Sequence, residues 1–129
     1  MIELSPAALE RVYSAVDDLR GLHSELCEPR LTWDGLRRVL IREGVLVASV
    51  PLGRPAKLLP FEGMAVMLLD NSRRARHLWY AAHEFGHWKL HASDDLYERC
   101  YHMDDILGDD PKEHEADLFA ELLMYGPQR

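Results

Sequence analysis

The chain has 129 residues, 47% of them hydrophobic and 29% charged, with seven prolines. Those figures describe one compact domain that needs no disulfide staples, and they exclude intrinsic disorder, collagen-like repeats and a multidomain enzyme. The formal charge of −7 is uneven: residues 1–93 carry 12 basic and 11 acidic side chains, and residues 94–129 carry 3 and 11. A net-negative chain is a poor ligand for phosphate backbones, so no direct nucleic-acid partner is expected. The short run Arg73-Arg74-Ala75-Arg76 reads as a solvated helix start. No apolar run approaches the roughly 20 residues that span a bilayer, and the N-terminus lacks a basic-then-apolar signal pattern. No membrane partner and a cytoplasmic location are therefore expected. Cys27 and Cys100 lack C-x-x-C spacing and read as reduced structural thiols, Cys100 being the one that is also a ligand candidate.

In chain order, Ser5-Pro6 starts a helix over 5–21, with Leu9, Val12, Tyr13, Val16 and Leu19 in one stripe. Thr32 opens a second helix over 33–43, stopped by Gly44, with Leu36, Val39 and Leu40 inward. Val45–Val50 is short, β-branched and bounded by Gly44 and Pro51, which predicts a strand. Residues 51–63 are turn-rich, with room for a short edge strand. Met64–Leu69 predicts another strand, with Met64 and Met67 as strand core. From about 74 to 91 comes a helix apolar on nearly every side, hence central. Residues 92–110 form a long acidic connection. Pro111 starts the last helix, which carries Ala116, Phe119, Ala120 and Leu123 inward and stops at Gly126-Pro127. The fold class is α+β: a small mixed sheet of about three strands against the central helix and three further helices, all in one domain over 1–129. The core is placed at about 31–125, with the first helix as an extension.

The central helix carries His83-Glu84-Phe85-Gly86-His87, an H-E-x-x-H. Residues four apart share a helix face, about 6 Å apart along the axis, so two imidazoles can converge on one zinc ion. Glu84 then flanks the metal without ligating it, placed to take a proton from a zinc-bound water as catalytic base. Gly86 lets another segment approach closely. A catalytic zinc needs a third protein ligand: Glu113 offers one, with Asp117 on the same face able to hydrogen-bond a ligating histidine, and Glu115, pointing away from Glu113 by about 200° on a helical wheel, is the alternative. His114 and Glu115 are read onto a solvated face. Manganese or iron suits the same donors.

These residues resemble the ImmA/IrrE-type zinc metallopeptidases of bacteria and their mobile elements. The family pattern is a strand, a short turn, H-E-x-G-H with a Leu-His pair, then a helix reading E-x-x-A-[ND]-x-F-A-x-x-L-L-M-P. Here it stands as Met64–Leu69, Asp70-Asn71, HEFGH at 83–87, Leu90-His91 and EHEADLFAELLM at 113–124, departing only in Tyr125-Gly126 before the proline. The resemblance spans about 31–125. It implies a zincin-like core, metal ligands His83, His87 and Glu113, Glu84 as base, and a protein substrate, a helix-turn-helix repressor of a phage or mobile element. It also implies a lone protease-like domain without a DNA-binding or sensor module. The alternative is a non-proteolytic metal-binding module that sequesters a repressor or antitoxin.

Other residues have weaker claims. His91, four beyond His87, extends the polar face toward the site or toward Asp94 and Asp95. Tyr101 and His102 are candidate donors to a transition-state oxyanion. Trp33, Trp79 and Trp88 read as core. The acidic connection suggests a partner with a basic segment.

Overall fold

The computed structural model describes residues 4–91 and 111–126. The order is α1 (Pro6–Leu22), a 3-10 turn (Ser24–Cys27), α2 (Trp33–Arg42), β1 (Val45–Val50), β2 (Ala56–Phe61), β3 (Met64–Asp70), a second 3-10 turn (Asn71–Arg76), α3 (His77–His91) and α4 (Pro111–Tyr125). The class is α+β, as the sequence predicts.

The helix starts follow from side-chain caps. Ser5 Oγ accepts from the Ala8 N–H at 3.1 Å with Pro6 in the first turn, and Thr32 Oγ1 accepts from the Gly35 N–H at 3.0 Å. Each cap satisfies an amide that the helix itself cannot pair. α1 then buries Ala8, Val12, Val16 and Leu19, and α2 buries Leu36, Val39 and Leu40.

The sheet has the order β1-β3-β2. β1 runs parallel to β3, with Val45 opposite Ala65 and Val50 opposite Asp70. β2 runs antiparallel, with Ala56 opposite Leu69 and Phe61 opposite Met64. Pro60 is tolerated in β2 because an edge strand can spare an N–H. Strand alternation sends Ala65, Met67 and Leu69 of β3 and Ala56 and Leu58 of β2 into the core. The same alternation corrects the reading of Met64, which lies on the opposite face and is 44% exposed.

α3 packs against β2, β3, α2, α1 and α4. That central position is why every residue from Tyr80 to His87 is buried. Phe85 meets Phe119 of α4 edge to face, centroids 5.7 Å apart. Trp33, Trp79 and Trp88 pack partly buried against this core. α3 starts later than the predicted 74: residues 71–76 are a 3-10 turn with a non-helical break at Arg73. Asp70 causes it, accepting from Ser72 Oγ at 2.7 Å and pairing with Arg73 at 3.1 Å. The acidic connection lies outside the described residues. Among those described, no helix is long and apolar enough to cross a membrane.

Candidate metal centre

His83 and His87 lie one turn apart on α3 with ring centroids 4.9 Å apart, and both are essentially inaccessible to solvent. α4 brings Glu113 to them in its first turn, after Pro111, where the helix N-terminus favours an anion. Glu113 straddles the pair: Oε1 is 3.0 Å from His83 Nε2 and Oε2 is 2.7 Å from His87 Nε2. One turn further, Asp117 Oδ1 stands 2.8 Å from His83 Nδ1. α4 can come this close because of Gly86, where an added Cβ would lie 3.1 Å from Phe119 Cδ1. α4 thus brings Glu113 and Asp117 up to the histidine pair, with Gly86 at the helix contact.

Glu84 is wholly buried beside the histidines. Neither of its carboxylate oxygens has a hydrogen-bond partner among the described residues. Burial, reinforced by the charge of Glu113 and opposed by His83, pushes its pKa up to about 8. Burial works against charge on His83 too, but the carboxylates of Asp117 and Glu113 outweigh it and raise its pKa to about 10. Glu113 is likewise penalised by burial, yet the two imidazoles hold its pKa down at about 2. The centre therefore concentrates ionisable groups at largely buried positions.

A divalent metal fits these residues. Ligand atoms of His83, Glu84 and His87 lie within 4.8 Å of one another, a group able to hold a metal ion. Tetrahedral donors at 2.0–2.1 Å from zinc are about 3.3 Å apart, wider than the 3.0 and 2.7 Å between Glu113 and the two imidazoles, so the carboxylate would have to draw back slightly to admit an ion. Buried carboxylate oxygens without hydrogen-bond partners are costly, and a nearby cation would relieve that cost.

Away from His83, His87 and Glu113 the structure departs from expectation. Glu115 is not on a solvated face: it is 6% exposed. A helical wheel gives its direction, away from Glu113, but α4 is covered by α3 on one side and α1 on another. Glu115 Oε1 accepts from Arg11 Nη2 of α1 at 2.7 Å and lies 3.2 Å from His91 Nε2. His114 is half-buried. His91 is buried, with Nδ1 2.9 Å from His87 Nδ1. Burial, and then the neighbouring His87, push the pKa of His91 down even though Glu115 opposes them. The signal for His91 was its four-residue spacing from His87; no local signal marks Arg11 or Glu115. Cys27 is exposed and free. Asp94, Asp95, Cys100, Tyr101 and His102 lie outside the described residues. No protein-family model, curated protein or solved structure matches this chain.

Proposed function

We propose that this chain is a metal-dependent endopeptidase of the ImmA/IrrE type with a zincin-like core. The observation that carries the reading is the buried convergence of His83, His87 and Glu113 beside Glu84, whose oxygens have no hydrogen-bond partner among the described residues. His83, His87 and Glu113 would hold the ion, zinc by preference, with manganese or iron suited to the same donors. Zinc held there would supply Lewis acidity toward a scissile carbonyl and make water a better nucleophile at neutral pH. Glu84, buried beside the histidines, would take a proton from the attacking water and return it to the leaving amine. With an ion bound, Asp117, 2.8 Å from His83 Nδ1, would favour the tautomer protonated there and leave Nε2 free for the ion.

The resemblance in the two motifs supports a helix-turn-helix repressor of a phage or mobile element as substrate. The test is incubation of the zinc-loaded protein with the product of any helix-turn-helix repressor gene found beside its own. Wild type should give fragments, and Glu84→Gln should retain zinc and give none. Cleavage by Glu84→Gln would sink the mechanism. Equal relief of repression by both proteins without fragments would replace it with the sequestering module.

A further inference from the structure

Four side chains from three helices form a continuous polar chain behind the histidine pair, three of them buried and Arg11 at its exposed end. His87 Nδ1 is 2.9 Å from His91 Nδ1, His91 Nε2 is 3.2 Å from Glu115 Oε1, and Arg11 Nη2 is 2.7 Å from that same oxygen. The hydrogen-bond directions can be worked out from its outer end. Glu115, as a carboxylate, only accepts, so His91 Nε2 carries the proton and donates to it. His91 Nδ1 is then the acceptor of the ring, and His87 Nδ1 must donate to it. With a metal ion held between His87 and Glu113, that would leave the lone pair of His87 on Nε2, the nitrogen facing Glu113, for the ion. Each link fixes the tautomer of the next.

We propose that Arg11 of α1 is a positioning residue for the metal centre, acting through Glu115 and His91 on the tautomer and ring orientation of His87. This rests on the metal-centre reading above and deepens it: α1, outside the core by sequence, becomes part of the site's support. α1 is fastened to α4 at a second point, where Arg20 Nη2 donates to the Leu122 carbonyl. Arg11 is the exposed end of the chain, its side chain 55% accessible against 7% for Glu115. Whatever moves α1 off α4 therefore withdraws the outer anchor from a ligand at the opposite end of the chain. Asp117 does the corresponding work for His83 directly, so the two histidines have separate supports, and only that of His87 runs through α1.

The test measures zinc affinity by chelator competition, with the visible absorption of the cobalt(II) form as a second readout and thermal melts to report folding. His91→Phe should weaken zinc by roughly 10–100-fold, the range for partners that orient a ligating imidazole. Arg11→Met should weaken it by up to roughly tenfold and alter the cobalt spectrum; Arg11→Lys should restore most of the affinity, and Glu10→Ala should leave it unchanged. Simple electrostatics predicts the opposite sign, because deleting a nearby cation favours a dication. Arg11→Met combined with Glu115→Gln should lose no more than Glu115→Gln alone, since both act along one path. Affinity of Arg11→Met equal to or tighter than wild type, or fully additive losses in the double variant, overturns the relay. Failure of wild type to bind zinc, cobalt or manganese is a different result: it overturns the metal-centre reading itself, and the relay with it.

Discussion

Gly86 and Phe119 mark a close approach of α3 and α4: a Cβ built on Gly86 would stand 3.1 Å from Phe119 Cδ1 and 3.2 Å from its Cβ and Cγ. The contact lies between His83 and His87 on one helix and between Glu113 and Tyr125 on the other, so it sets how far the carboxylate reaches. Two effects of Gly86→Ala compete. The helix gains about 1 kcal/mol from losing a glycine, whereas forcing a methyl into a filled core costs about 1–3 kcal/mol. The expected outcome is a net loss of up to about 2 kcal/mol together with weaker zinc binding. Phe119→Leu should recover part of both in the double variant. Urea unfolding and chelator competition measure them, and unchanged zinc affinity in Gly86→Ala would remove this contact from the site.

Metal removal should expose the electrostatic cost of the centre. In chelated protein, burial keeps Glu84 protonated up to about pH 8, whereas it ionises near its ordinary 4.5 once unfolded. Across that interval the folded chain holds a proton the unfolded chain has lost, so stability falls as pH rises from about 4.5 to about 8. His83 acts in the same direction. Its contribution is complete below its ordinary 6.5 and disappears as pH rises through about 10. Glu113 has the opposite sign, contributing above 4.5 and losing that contribution as pH falls through about 2. Urea midpoints in the presence of a chelator should therefore decline from pH 5 to pH 8, and Glu84→Gln should flatten the decline. Zinc at 100 times its Kd should add about 2.7 kcal/mol to wild type by mass action. A pH-independent midpoint in chelated wild type would contradict the burial argument for Glu84.

The legible parts of this molecule are those whose signals are local. The four-residue spacing of His83 and His87, the caps Ser5 and Thr32, and the inward faces of α2 and α4 all depend on residues within a turn or two of one another. The fold class follows from the same periodicities. What failed depends on what covers a face. Met64 is as apolar as Met67, but one residue of alternation places it on the other side of the sheet. Glu115 was directed correctly away from Glu113, yet its surroundings come from α1 and α3. Arg11, its partner, is 104 residues away in sequence. No periodicity reports a contact of that span, and a charged residue near the N-terminus ordinarily reads as surface.

Away from the site, Glu25 and Arg42 make an exposed two-pronged pair, with both guanidinium contacts at 2.8 Å. The hydrogen bonds from Arg42, aided by a backbone contact, lower the Glu25 pKa to about 2. A lowered carboxylate pKa stabilises the fold above its ordinary value of 4.5, and the contribution is lost as pH falls through about 2. Side-chain NMR titration should find Glu25 still ionised at pH 3.5. In Arg42→Met it should return toward the ordinary carboxylate range. Because the pair is in solvent, the denaturation midpoint at neutral pH should change little and should be less sensitive to salt in the variant.

The β2–β3 hairpin closes through Glu62-Gly63, and both residues have positive φ, 46° and 81°. A two-residue turn with this backbone matches the twist of its strands, and glycine satisfies it without strain. Glu62 does not: an L side chain there crowds its own carbonyl, a cost of roughly 1–2 kcal/mol. Asparagine tolerates the left-handed region better, and Asn-Gly is the favoured pair for such a turn. Glu62→Asn should therefore raise stability by roughly 0.5–1 kcal/mol. Glu62→Val should lower it, because a β-branched chain fits this backbone worst. Glu62 is exposed and lies on the sheet hairpin, not on α3 or α4. Zinc affinity should consequently be the same in all three proteins while their urea midpoints separate. A midpoint that rose for both substitutions would mean that the charge of Glu62, not its backbone, is what the turn resists.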